Sequence, residues 1–291
     1  MEFVPRCEAT WNAEALSGTE PTSFRTNAIG LRDAELEEDG AVRILALGDS
    51  CTWGWQVAQD DAYPQQLQRL LNEQFGQGQY RVINAGVPGY TSYQGLLYLR
   101  DVGIELHPAI VLIGYGFNDA SRAPDIVTAL ARQRMFLPLI HVDDALLAHS
   151  QLWRWLHMRF GSASSPRASR ISALGATEAV AWAQPEETVR VSPTHFKDNL
   201  TAMVQLARSH GAYPLLVSFA GRPRPEQPYA YAIGGVASEF DVPIVVYDGS
   251  RIDRIHPSRE GYAALAAVIL ARLETVGIIP NVNGSPVPGQ K

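Results

Sequence analysis

Three side chains stand out for the chemistry they can do together. Ser50 closes the stretch "RILALGDS" (43–50), where an apolar run meets Gly48 and Asp49, and Asp253 and His256 lie three residues apart in "DRIHP" (253–257). A serine hydroxyl is a poor nucleophile until a base takes its proton. An imidazole does this well when a carboxylate holds its tautomer and stabilises the imidazolium that forms. A three-residue turn brings Asp253 against Nδ1 of His256 and leaves Nε2 to face Ser50. Such a group performs acyl transfer, and the oxyanion that develops needs fixed donors. The Ser50 N–H, the Gly89 N–H within "NAGVPGYTS" (84–92) and the side-chain amide of Asn118 within "GYGFND" (114–119) are candidates for three of them.

Each of these residues also has a plainer reading. Taken alone, Ser50 is a loop serine capping the helix that follows, His256 a satisfied loop histidine, Asp253 a surface acid and Asn118 a turn residue. Asp119 reads as structural and Asp49 as bonded to its own loop. Arg32 reads as a structural ion pair near a sheet edge, ahead of a group reaching for substrate. Cys7 and Cys51 make no disulfide framework and are expected as free thiols. His141, His149 and His157 are spaced eight apart, too far for the close pairs of metal sites, and Trp153 and Trp155 read as core packing. The pattern calls for no metal and no cofactor.

These residues must be positioned by elements, and the chain alternates in a way that supplies them. Short runs rich in Val, Ile and Leu at 42–48, 80–86, 109–116, 213–220 and 242–248 read as buried parallel strands. Helical patterns fall at about 61–75, 92–103, 194–210, 227–240 and 258–275. Ser192 is placed to cap the third of these, with Pro193 at its first position and Gly211 at its stop. The alternation predicts a doubly wound α/β sheet with ligands beyond the strands' C-terminal ends, where the four polar segments converge. Residues 1–40 read as an irregular segment packing on a domain at 41–275, and 276–291 as a flexible tail. The stretch at about 120–190 is too long for one crossover and reads as an insertion able to lie over the site.

Composition narrows the function classes. The 291 residues are 46% hydrophobic and 19% charged, with a net charge of −6 and only two lysines, Lys197 and Lys291. That balance gives no footprint for nucleic acid. No window approaches the length of a transmembrane helix, and "MEFVPRCEAT" shows no apolar signal-peptide core, which leaves the compartment open. "GYGFND" lacks the third glycine of a dinucleotide fingerprint. A phosphate-binding G-x-x-x-x-G-K-[ST] and a G-x-S-x-G elbow are both missing.

"GDS", "NAGVPG", "GFND" and the late "DRIHP", in this order and spacing, resemble the four sequence blocks of the SGNH (GDSL-type) hydrolase superfamily over about residues 24–275. The resemblance implies a flavodoxin-like three-layer α/β/α sandwich with a central parallel five-stranded sheet, and an esterase, lipase or carbohydrate acetylesterase. It implies Ser50 as nucleophile, His256 as general base, Asp253 as its orienting acid, and Ser50, Gly89 and Asn118 around the oxyanion. Gly89 is preferred to Gly86 because the family's donor glycine lies five residues after the block's asparagine, here Asn84. Cys51 stands where the GDSL name has leucine. The upstream "FRTNAIGLRDAEL" resembles a lead-in of a bacterial subgroup, some of whose members are linked to cell-surface polysaccharides. The expected substrate is a small-molecule or carbohydrate ester. The alternative is an O-acyltransferase passing the acyl group to or from a polysaccharide, and a non-catalytic module is disfavoured by the complete triad.

Overall fold

The computed structural model describes residues 5–11, 22–37, 40–121 and 189–280. The chain divides into one unit made of Met1–Ala120 with Val191–Lys291 and a second, Ser121–Arg190. The expected lid-like insertion, its three histidines and its tryptophan pair lie almost wholly outside the described residues.

The main unit is built on a five-stranded parallel sheet. In chain order its strands are β3 (Val42–Gly48), β4 (Tyr80–Gly86), β5 (Ile110–Gly114), β6 (Tyr213–Ser218) and β7 (Ile244–Val246), arranged β4-β3-β5-β6-β7. Numbered among themselves, these strands run 2-1-3-4-5, the flavodoxin-like order. Strand side chains alternate between two cores. Leu45, Leu47, Ile83, Val111, Ile113 and Leu216 pack on one face, while Ile44, Ala46, Val82, Leu112, Leu215 and Val217 pack on the other.

Helices cover both faces. α5 (Pro193–Ser209) buries Phe196, Leu200 and Met203 on the first face, joined by α6 (Pro228–Glu239) through Ile233 and Val236. On the second face α2 (Tyr63–Phe75) places Tyr63, Leu67 and Leu71, and α7 (Arg259–Thr275) places Tyr262, Leu265 and Ile269. The caps explain the boundaries of α5. The Ser192 hydroxyl accepts from the His195 N–H, Pro193 opens the first turn, and Gly211 past the end takes a φ of +76°.

The sequence reading departs from the structure at element ends. The last three strands stop at 114, 218 and 246, because the residues beyond already form the polar loops of the site. The helix expected over 92–103 is α3 (Ser92–Tyr98), continued by a π-helical turn over Leu99–Gly103 and a 3₁₀ turn over Ile104–Leu106. Within the segment expected to be irregular, β1 (Glu8–Trp11) and β2 (Thr22–Arg25) form a separate antiparallel pair. They escape a periodicity search because each is only four residues long. Within the stretch expected as a tail, Ile279 is buried; 281–291 lie outside the described residues.

The N-terminal segment and α2 together seal an edge strand. The outer N–H groups of β4 would otherwise template pairing with another chain. Instead the Asp33 carboxylate accepts from the Asn84 N–H (2.9 Å) and the Gln68 side-chain carbonyl from the Val82 N–H (2.7 Å).

Candidate active site

β3 and β5 lie side by side at the point where the order of connections reverses, and the site forms at their C-terminal ends. β3 runs directly into the short helix α1 (Ser50–Trp53). A side chain at Gly48 would place its Cβ 2.0 Å from the Thr52 hydroxyl and 2.8 Å from the Gly114 carbonyl, so only glycine lets α1 turn this sharply over the sheet. The cap of α1 is Asp49, whose Oδ1 accepts from the Cys51 N–H at 2.9 Å. Ser50 is thus the first residue of the helix rather than its cap.

The second participant comes from the far end of the chain. Between β7 and α7 the segment 251–257 closes on itself, with the Ile252 N–H donating to the His256 carbonyl at 2.9 Å. Arg251 donates to the carbonyls of Ile255 and Phe219 and lies over the Tyr247 ring, which ties the loop to the end of β6. Asp253 Oδ1 accepts from the Ile255 and His256 N–H groups, both at 2.7 Å, and its Oδ2 meets His256 Nδ1 at 2.7 Å. Nδ1–H therefore donates to the carboxylate, which leaves Nε2 to accept from the Ser50 hydroxyl at 2.8 Å. Three side chains spanning 206 positions of sequence form one line.

The carboxyl that faces His256 is held in its ionised form. Partial burial alone would raise the Asp253 carboxyl, but the hydrogen bonds from His256 and Ile255 outweigh it and hold the group below the usual carboxylate range. Cys51 lies alongside as a buried, free thiol, its Sγ 3.9 Å from the Ile255 carbonyl, and burial raises its pKa well above the ordinary value. A protonated, buried sulfur beside Ser50 supplies packing rather than a thiolate.

Gly89 and Asn118 reach the same rim. The Val87–Tyr90 turn after β4 is joined to β3 by the Val87 N–H donating to the Gly48 carbonyl (3.0 Å). Within it Gly89 is exposed and has φ of +83°, a backbone that favours glycine. Asn118 belongs to α4 (Phe117–Ala120), just past β5, and its amide donates to the Tyr90 carbonyl (3.0 Å) and to Asp49 Oδ2 (3.3 Å). Asp119 is fully buried and accepts from the Ser92 N–H and hydroxyl (3.0 and 2.6 Å), fixing the start of α3.

Among the described residues Arg32 forms no ion pair of the kind expected. It is buried and spends its guanidinium on the backbone carbonyls of Trp53 and Gly54 (both 2.7 Å) and Val57 (2.8 Å). Those carbonyls belong to the turn that follows α1. Desolvation lowers its pKa to about 10, so the group remains a cation at neutral pH. Two further neighbours were not singled out from the sequence. One is Arg251, which secures the histidine loop; the other is Trp55, whose ring stacks on His256 with centroids 5.8 Å apart. Neither has a motif, and only the fold brings them to the site.

The sequence and the doubly wound α/β fold both have known counterparts. Residues 46–264 match the GDSL-like Lipase/Acylhydrolase family, and the chain belongs to that family. Among curated proteins, thioesterase 1/protease 1/lysophospholipase L1 of Escherichia coli (strain K12) is 37% identical over 79 residues. That match covers 27% of this chain and 36% of the relative's length. Among solved structures, that of TesA superposes with a TM-score of 0.50 at 20% identity, covering 80% of this chain and 98% of the other. The esterase EstA from Pseudoalteromonas sp. gives a TM-score of 0.49 at 15% identity, covering 80% of this chain and 97% of the other.

Proposed function

We propose that this chain hydrolyses carboxylic esters through an acyl-enzyme on Ser50. The observation that carries the reading is the unbroken hydrogen-bonded line from Asp253 Oδ2 through both nitrogens of His256 to Ser50 Oγ, at 2.7 and 2.8 Å. Membership of a lipase and acylhydrolase family supports it. Ser50 Oγ bonds to the ester carbonyl carbon while His256 Nε2 takes the hydroxyl proton. The imidazolium, its Nδ1–H held by Asp253, then protonates the departing alkoxide as the C–O bond breaks. Water repeats the sequence on the acyl-enzyme and releases the acid.

The Ser50 and Gly89 N–H groups and the Asn118 amide are the proposed oxyanion donors. Asn118 holds Tyr90 and Asp49 in the resting site, and the longer contact, to Asp49, is the one that yields when an oxyanion arrives. The proposed substrate is a small-molecule or carbohydrate ester.

The test is turnover of p-nitrophenyl acetate, butyrate and octanoate by the wild type and Ser50→Ala. We expect wild-type hydrolysis with a chain-length profile that defines the acyl pocket, and a loss of at least ~10³-fold in the variant. Equal turnover by both proteins would overturn the reading. Adding an oligosaccharide acceptor and identifying the products separates hydrolysis from transfer, since a transferase would yield acylated sugar in place of free acid.

A further inference from the structure

We propose that Trp55 is a positioning residue for the general base, its indole face stabilising the imidazolium that His256 becomes during each proton transfer. The proposal rests on the assignment of His256 as the base. Trp55 stacks on the imidazole at 5.8 Å with the two planes 30° apart. Asp253 holds the same ring by its Nδ1 edge and Ser50 meets it at Nε2, so both edges are committed and the face is what Trp55 supplies.

The chain goes to some length to place this ring. After α1, Gly54 takes a left-handed φ of +90° and Gln56 a φ of +62°, uncommon for a residue with a side chain. Between them stands Trp55, its N–H bonded to the Ser50 carbonyl (3.1 Å), so nucleophile and indole are fixed to each other through one turn of backbone. Buried Arg32 clamps that turn from below through three carbonyls. Trp55 is only half-buried, and with Phe24, Trp53 and Val57 it lines a cavity of about 50 Å³.

The face of an aromatic ring carries negative charge density and attracts a cation. In the resting site Nε2 of His256 meets the Ser50 hydroxyl, and the ring gains its positive charge when it takes the serine proton. An interaction that strengthens only then raises kcat and leaves ground-state binding alone. Phenylalanine keeps a π face, whereas leucine keeps apolar bulk without one.

Kinetics of Trp55→Phe and Trp55→Leu on p-nitrophenyl acetate, with thermal melts to confirm folding, test this. We expect Trp55→Phe to keep kcat within about threefold and Trp55→Leu to lose about tenfold, both with KM within twofold. Equal effects of the two substitutions would overturn the proposal, since packing alone would then account for the residue. A rise in KM at constant kcat would also overturn it, by making Trp55 a wall of the substrate site. Activity surviving in Ser50→Ala marks instead the failure of the hydrolase assignment on which the proposal rests.

Discussion

Asp49, the residue before Ser50, is a buried acid with both oxygens engaged. Burial, with the nearby charge of Asp119, pushes its carboxyl up to about 7 against the pull of the Cys51 N–H, while its other oxygen meets the Asn118 amide. An ionised Asp49 competes with an oxyanion for that amide hydrogen; a protonated one competes less. The same shift has a consequence for stability. An unfolded aspartate titrates near 3.8. Between that value and about 7 the folded chain keeps a proton that the unfolded chain has lost. Stability from this group is therefore greatest at low pH and falls as pH rises through the window, by at most about 1.4 kcal/mol per pH unit. Above the folded value the contribution is flat. Melting curves of the wild type and Asp49→Asn from pH 4.5 to 8 read this directly. The wild type should lose stability relative to the variant as pH rises, and a constant difference would contradict the assignment.

At the scale of elements, the turn after α1 depends on a residue that comes from outside the sheet. Arg32 makes the short hydrogen bonds to three buried carbonyls, of which Trp53 otherwise receives only the longer Asn84 amide contact and Gly54 the Val57 N–H (both 3.4 Å), so removing its guanidinium leaves buried acceptors poorly satisfied. Arg32→Met should cost about 2–4 kcal/mol, seen as a lower urea midpoint at unchanged slope, and Arg32→Lys should recover only part because one ammonium cannot span the fork. A cost under about 0.5 kcal/mol would show that the turn holds itself. This element was illegible in the sequence for a physical reason. Arg32 works through backbone carbonyls, which leave no mark in residue types, and its partners are 21 to 25 positions away. The strands, by contrast, were legible almost to the residue at their N-terminal ends. Runs such as Ile44–Leu47 are buried on both faces and must be apolar throughout. The short pair β1 and β2 has too few residues to show any period, and the π turn at Leu99–Gly103 keeps a helical pattern while changing the hydrogen bonding.

For the whole molecule, the strand order decides where chemistry can occur. β3 delivers Ser50, β4 the Gly89 turn and β5 Asn118 to one edge, and the loop between β7 and α7 returns His256 to the same place. That Ser50, Asp253 and His256 lie together was readable, because the proposed chemistry demands particular residue types at particular spacings. Trp55 and Arg251 were not, since aromatic stacking and loop clamping tolerate many residues and only the folded chain selects these two. The central claim is that folding alone assembles a reactive serine from segments about 200 positions apart. An organophosphonate fluoride tests it, because attack by an activated serine oxygen expels fluoride and leaves a stable phosphonyl ester that peptide mass analysis can locate. The account predicts a single adduct on Ser50 in the native chain, at least ~10²-fold slower labelling in His256→Ala, and none in the urea-unfolded chain. Labelling at another residue, or equal labelling of Ser50 with and without His256, would contradict it.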